Sequence, residues 1–154
     1  MSQSLVMVAV RDQEHVDELV KLACQLTKGT GAELLALSVA EIAPALPLDA
    51  DSEILDRPRK DALDRAAKVA WDTFGIRART RLIRAREAGP AIVDEAREQQ
   101  AGILVLGYHG RLSIGEILLG SCVQYVAAHA PCRVILQIVP HSASHGSAWP
   151  DSPA

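Results

Sequence analysis

The sequence predicts an α/β protein with a doubly wound, five-stranded parallel sheet in the strand order 3-2-1-4-5 and helices on both faces. Apolar runs of strand length alternate five times with segments of helical periodicity, and no internal repeat or linker interrupts them. Hydrophobic residues make up 49% of the chain but aromatic residues only 3%, as in parallel sheets built from Ala, Val, Leu and Ile. This alternation favours right-handed βαβ crossovers. We therefore expect one domain over residues 1–140 and a disordered tail over 141–154.

The first half of the chain is predicted to contain two buried strands and two helices. Apolar runs over 5–10 and 34–39 have strand length, and helix-spaced apolar residues lie between them over 16–26. A loop over 43–52 precedes the second helix, which we expect to begin near Pro58 because proline is favoured in a first turn. Its predicted core-facing stripe consists of Leu63, Ala66, Ala67, Ala70, Trp71 and Phe74.

The second half begins with an expected edge strand over 76–83, where apolar and basic residues alternate. Gly89 and the proline after it open a third helix, and a fully apolar strand covers 103–106. A fourth helix ends before Pro131, and 132–139 form the fifth strand. A solvated face is favoured over a polyanion site for the arginines of the edge strand, Arg77, Arg79, Arg81, Arg84 and Arg86.

Charge and composition narrow the functional classes. The formal net charge is −3 and no basic run is present, so nucleic acid is not an expected partner. No apolar stretch reaches membrane-spanning length, and the run over 5–10 is too short for a secretion signal, so we expect a soluble cytoplasmic protein without direct membrane insertion. Cys24, Cys122 and Cys132 are odd in number and widely spaced, which favours buried, reduced thiols.

A glycine-rich segment follows the fourth predicted strand. In this strand order, strands one and four are neighbours, and ligands bind beyond the carboxyl ends of the strands at such a switch point. Gly107 and Gly110 lack a Cβ, which permits positive φ and lets backbone N–H groups approach an anion. A tight βα turn with a satisfied helix cap is the alternative explanation of these glycines.

Two capping boxes are predicted around this segment. Ser121 with Gln124 opens the fourth helix, whose N–H groups and dipole favour a phosphate, and Gly120 keeps the approach clear. Ser113 with Glu116 predicts a short helical turn inside the loop. The segment has no Walker A lysine, so a phosphate site here depends on backbone and hydroxyl donors. No general base or acidic metal pair stands beside it, and efficient phosphoryl transfer is not expected.

From Leu5 to Val139 the sequence resembles the universal stress protein family. The pattern Gly107-x2-Gly110-x9-Gly120-Ser121 looks like the ATP-binding G-2x-G-9x-G-(S/T) motif of that family. The resemblance implies that these four residues and the N–H of Cys122 hold phosphates and ribose, and that Val39 touches adenine. It implies ATP as the ligand, with Mg²⁺ as a companion of ATP and with AMP or cyclic AMP as alternatives.

The end of the first strand departs from the family pattern. ATP-binding members usually carry an Asp there, whereas here Val10 is followed by Arg11, and Asp12 comes one position late. Arg11 can reach a phosphate, obstruct the adenine pocket or lie in solvent. His109 and Arg111 are loop residues that either cover the phosphates or are merely solvated. The candidate nucleotide-binding residues are Val10, Arg11, Val39, Gly107, His109, Gly110, Arg111, Gly120, Ser121 and Cys122.

By this resemblance the chain is a nucleotide-gated stress protein that forms a homodimer through its fifth strand and regulates a protein partner. Two alternatives remain open. One is a partner-binding domain, for example of a membrane transporter, that has lost ATP binding. The other is a slow ATPase, or an enzyme that phosphorylates itself on Ser113 or Ser121. No catalytic or metal-ligating residue is assigned.

Overall fold

The part of the protein that the structure describes contains four helices and seven strands. The computed structural model describes residues 4–138 except 12, 14, 109–111, 114–115 and 118–119. The predicted tail lies outside the described residues. The strands are β1 (Leu5–Ala9), β2 (Glu33–Glu41), β3 (Arg79–Ala85), β4 (Ile103–Tyr108), β5 (Leu112–Ser113), β6 (Glu116–Ile117) and β7 (Arg133–Ile138). The helices are α1 (Val16–Lys28), α2 (Glu53–Phe74), α3 (Ala88–Glu98) and α4 (Ser121–His129).

The five longer strands form one sheet in the order β3-β2-β1-β4-β7, and every pairing in it is parallel. This confirms the predicted order 3-2-1-4-5. β1 is central: Met7 pairs with Leu35 of β2 and with Leu104 of β4. These three side chains are at most 2% exposed, as expected for strands covered on both faces. The carboxyl ends of β2, β1 and β4 therefore meet at one edge of the sheet.

The core has two layers because successive strand residues point to opposite faces. Val8, Ala36 and Val105 pack with apolar residues of α1 and α2 on one face. Met7 and Leu104 pack with α3 and Val126 of α4 on the other face. No helix within the described residues is long and apolar enough to cross a membrane.

Helix α2 begins earlier than predicted. Its first residue is Glu53, and the Ser52 hydroxyl caps it by accepting from the Leu55 N–H at 3.4 Å. Pro58 therefore lies inside the helix rather than at its start. A serine cap with acidic residues in the first turn, Glu53 and Asp56, stabilises a helix start and here outweighs the preference of proline for a first turn.

The predicted core stripe of α2 holds except at its aromatic end. Leu63, Ala66 and Ala70 are buried, and Phe74 packs against the core from a half-buried position. Trp71, however, is 57% exposed, so the expectation of a core role for it is wrong. Its ring lies under the guanidinium of Arg77, with 6.0 Å between the guanidinium carbon and the ring centroid. The ring is therefore in a cation–π contact at the surface instead of in the core.

Strand β3 is an edge of the sheet, as predicted, but Arg84 within it and Arg86 just after it are not simply solvated. Arg84 pairs with the buried carboxylate of Asp56 and donates to the Ala50 carbonyl at 2.6 Å. Arg86, just after the strand, donates to the carbonyls of Ala43 and Leu46, each at 2.6 Å. The two guanidiniums therefore hold the loop before α2 in place, which the alternating pattern did not predict.

Candidate functional site

A cavity of about 570 Å³ lies at the carboxyl ends of β1, β2 and β4. It is located at the switch point of the sheet. There β1 lies between β2, which follows it in the chain, and β4, which the chain adds on the other side after β3. Its volume falls within the usual range for small-molecule sites. The lining residues on or after these strands are Ala9, Val10, Arg11, Val39, Glu41, Leu106, Gly107 and Tyr108.

The helices supply the walls of the cavity. Apolar side chains of α1 and α3 line two sides, and the start of α4 closes a third. One basic side chain, Arg59, reaches it from α2. The lining residues contributed by these helices and their ends are Val16, Leu19, Arg59, Ala88, Ile92, Gly120, Cys122 and Val123.

The structure brings together six of the ten residues singled out from sequence. These six line the same cavity and are Val10, Arg11, Val39, Gly107, Gly120 and Cys122. Ser121 begins α4 beside them but is not among the lining residues. His109, Gly110, Arg111 and the displaced acid Asp12 lie outside the described residues.

Gly120 is the N-cap residue of α4, so the predicted Ser121–Gln124 capping box does not open this helix. Gly120 has extended backbone angles, φ −64° and ψ 162°, and its carbonyl accepts from the Gln124 N–H at 3.1 Å. A Cβ built at Gly120 would meet nothing within 4 Å. Neither the backbone conformation nor the described packing requires a glycine here. Because the cap has no side chain, no side-chain oxygen of the cap residue occupies the first N–H groups of α4.

Two further sequence expectations about this segment are corrected. Gly107 lies within β4 and pairs with Gln137, because the strand continues to Tyr108 beyond its apolar run. The second predicted capping box does not form a helical turn. Ser113 in β5 instead pairs antiparallel with Glu116 in β6.

Charged groups of both signs surround the cavity. Glu41 at the end of β2 accepts from the Ala88 N–H at 3.2 Å and so satisfies an N–H group at the start of α3, where the N-cap residue makes no side-chain bond. Burial and the carboxylate of Glu41 raise the pKa of the Cys122 thiol, while Arg11 opposes this shift. Cys122 is therefore a neutral thiol at pH 7. All three cysteines are unpaired, as expected, but only Cys24 is fully buried.

Arg59 is the residue that sequence reasoning missed. Its Nε donates to the backbone carbonyl of Val39 at 3.2 Å, from a half-buried position. The predicted helix began near Pro58, which placed Arg59 in its first turn rather than on its core-facing side. In the observed helix it occupies the i−4 position relative to Leu63 and the i−7 position relative to Ala66. The sequence signal that could have identified Arg59 is a basic residue at helical spacing from the apolar residues that face the core.

A doubly wound parallel sheet whose switch-point cavity meets a glycine-capped helix defines an α/β protein with a ligand-binding architecture. The family model described as the universal stress protein family matches residues 5–137. The chain belongs to the universal stress protein family.

Comparisons with individual proteins agree. A universal stress protein of Methanocaldococcus jannaschii is 31% identical over 127 residues, which cover 77% of this chain and 72% of the relative. The Archaeoglobus fulgidus universal stress protein in complex with dAMP has a TM-score of 0.68 at 18% identity, covering 88% of this chain and 97% of that one. A universal stress protein in complex with cAMP has a TM-score of 0.64 at 24% identity, covering 92% and 100%. These two likenesses show a shared fold.

Proposed function

We propose that this protein is a nucleotide-binding regulatory protein of the stress response, with ATP as its ligand. The observation that carries the proposal is Gly120, a glycine that neither its backbone conformation nor packing among the described residues requires, at a helix N-terminus that opens on the switch-point cavity. Helix N-termini favour anions through free N–H groups and the helix dipole. The dAMP and cAMP complexes of two structural neighbours support a nucleotide as the anion.

In this proposal the phosphates lie against the start of α4, near Gly120 and the N–H of Cys122, with Gly107 at the end of β4. Ser121, His109, Gly110 and Arg111 complete the phosphate side, and Mg²⁺ accompanies ATP. The ribose and base occupy the apolar part of the cavity beside Val10 and Val39. AMP and cyclic AMP are the smaller ligands that the same arrangement would accept.

The regulatory part of the proposal joins the ligand to an assembly. Val134 and Leu136 of β7 pack against the core, whereas Ile135, half-exposed on the opposite face, is not part of the apolar cluster there. A homodimer that pairs two β7 strands would cover this edge. A nucleotide that binds one conformation better than another would then change the affinity for a protein partner. Unpaired cysteines fit the cytoplasm as the place of action.

One observation favours a second candidate, a partner-binding domain that does not bind nucleotides. Arg11 lines the cavity where ATP-binding relatives usually carry an acid, and Arg59 occupies the Val39 carbonyl. Both side chains reduce the free space for an adenine, and Arg59 also occupies one hydrogen-bond acceptor. Measured affinity decides between the two candidates.

The test identifies the ligand and then measures its affinity. Freshly purified protein is denatured, and any released nucleotide is identified by mass spectrometry. The stripped protein is titrated calorimetrically with ATP, AMP and cyclic AMP, with and without Mg²⁺. We expect saturable binding of at least one nucleotide. If none of the three binds and the denatured protein releases no nucleotide, the proposed function is wrong and the second candidate replaces it.

A further inference from the structure

The cavity has two chemically different ends. Gly107 of β4 and the start of α4 lie on one side of β1, and Val39 of β2 lies on the other. Neighbouring strands are about 4.8 Å apart, so the two ends are separated by about 10 Å. A phosphate at the start of α4 therefore leaves the opposite end, beside β2, for the base. Arg59 reaches the cavity at this base end, because its Nε contacts Val39.

Arg59 changes what the base end offers to a ligand. One lone pair of the Val39 carbonyl accepts from its Nε. Within the described residues, Nη1 and Nη2 of Arg59 have no hydrogen-bond partner. A guanidinium is a planar fork of donors with no acceptor. The base end therefore presents donors where a bare backbone carbonyl would present an acceptor.

The position of Arg59 is fixed from the helix side as well. Asp56, one turn earlier on α2, is 3% exposed and pairs with Arg84 of β3. The Arg84 guanidinium also binds the Ala50 carbonyl. Two strands thus hold this turn of α2, since β2 contacts Arg59 and β3 contacts Asp56. The Nε contact with Val39 and the anchored helix turn restrict the Arg59 guanidinium, which reduces the entropy lost when it binds a planar ligand edge.

We propose that Arg59 is a specificity-determining residue that raises the affinity of 6-oxopurine nucleotides relative to adenine nucleotides. Guanine and hypoxanthine present two adjacent acceptors, O6 and N7, which match a forked donor. Adenine presents N7 beside the N6 amine, which would place a donor against a donor. The inference rests on the proposed function, because it assigns the base preference of the same nucleotide site.

The experiment compares three probes, GTP, inosine triphosphate and ATP, by calorimetry on the stripped full-length protein. Arg59→Met removes the donors and keeps the apolar stem. We expect the affinity ratio of GTP to ATP to fall about tenfold in this variant, the discrimination typical of one bidentate contact. Inosine triphosphate should follow GTP, because it shares O6 and N7 and lacks only the guanine amine.

Two further variants separate the contact from general effects. Arg59→Lys keeps the charge without the fork, and we expect it to lose most of the preference. Arg57→Met is the matched control, because Arg57 is exposed on the same helix and pairs with Glu53. An unchanged GTP-to-ATP ratio in Arg59→Met, with nucleotides still bound, overturns the inference alone. Failure of all three probes to bind the unmodified protein overturns the proposed function and this inference with it.

Discussion

Gly89 and Gly120 lack side chains for different physical reasons. A Cβ at Gly89 would lie 3.0 Å from the Cβ of Tyr125, so this glycine allows the close contact of α3 with α4. A Cβ at Gly120 would meet no described atom within 4 Å. The first glycine is explained by packing, and the second has no explanation within the described protein. A ligand that approaches the start of α4 supplies one.

We predict that Gly120→Val lowers nucleotide affinity at least tenfold while leaving the free energy of unfolding within about 0.5 kcal/mol of the parent. The branched side chain fills the approach to the helix N-terminus, and the extended backbone of Gly120 accepts a valine without strain. Calorimetry and urea unfolding measure the two quantities. Full retention of affinity would place the ligand elsewhere.

The matched variant is Gly89→Val, for which the opposite pattern is expected. The added atoms meet Tyr125 and cost about 1–3 kcal/mol of stability through overpacking. Nucleotide affinity, measured well below the unfolding temperature, should stay unchanged because Gly89 does not line the cavity. If Gly120→Val and Gly89→Val each lost both stability and nucleotide affinity, the effect of Gly120→Val on affinity would be explained by damage to the fold.

At the scale of elements, one ion pair joins helix α2 to strand β3. Asp56 is nearly fully buried and Arg84 is 27% exposed, and Asp56 Oδ1 has no hydrogen-bond partner among the described atoms. Arg84 is therefore the main compensation for burying this carboxylate. Removing one member leaves the other without its partner in a partly dry environment.

We predict that Arg84→Met lowers the free energy of unfolding by about 3 kcal/mol, because the buried carboxylate of Asp56 loses its counter-ion. The double variant Asp56→Leu with Arg84→Met should recover a large part of the loss, since no charge is then left behind. Urea unfolding of the single and double variants measures the coupling. Equal losses in both would contradict a role for the uncompensated charge.

A second ion pair joins helices α1 and α2 at the surface. Arg65 donates to both carboxylate oxygens of Asp17, at 2.9 and 2.7 Å, and this hydrogen bonding lowers the pKa of Asp17 below its ordinary value of 3.8. A carboxyl group with a lowered folded-state pKa contributes stability above the unfolded-state pKa. That contribution is lost as the pH falls through the folded-state pKa.

We predict that Asp17→Asn destabilises the protein slightly at pH 7, that the difference from the parent begins to shrink as the pH falls below about 3.8, and that it disappears below the folded-state pKa of Asp17. The effect is small because both side chains are more than one-third exposed. Urea midpoints across this pH range measure it. The variant Asp72→Asn, which breaks an exposed pair within α2, controls for changes in helix charge.

Sequence periodicity predicted the strands well and the connections poorly. Buried strands such as β1 are continuous apolar runs, and the period-two pattern of β3 predicted an edge. The start of α2 was misplaced because the preference of Pro58 for a first turn was given more weight than the serine cap and the acidic first turn before it. Arg84 and Arg86 were read as solvated because their partners lie in a distant loop, and local spacing carries no information on such contacts. Arg59 was missed with the helix start.

At the scale of the whole molecule, the sheet has two unlike edges. The β3 edge carries charged partners, including Arg79 with Glu33 and Arg81 with the buried Glu95. Such charges oppose pairing with another chain. The β7 edge carries the half-exposed Ile135 and, at its end, Ile138, which is 37% exposed. This asymmetry favours assembly through β7.

We predict that the protein sediments as a dimer and that Ile135→Lys converts it to a monomer, because an ammonium group cannot be buried unpaired in a strand interface. Sedimentation velocity over a concentration series gives the oligomeric state, and circular dichroism verifies the fold. Arg79→Ala, at the opposite edge, is the control and should leave the dimer intact. A monomeric parent protein would contradict the proposed assembly.

The central position of β1 also has a consequence for synthesis. β1 is synthesised before the other strands of the sheet, yet one of its two neighbours is β4, which begins only at Ile103. At about 5–20 residues per second, translation from Ala9 to Ile103 takes roughly 5–20 s. Throughout that interval an apolar strand such as Val6-Met7-Val8 has an unpaired edge that can capture other chains. The nascent chain, before β4 emerges, is therefore the form of this protein with the greatest need of a chaperone.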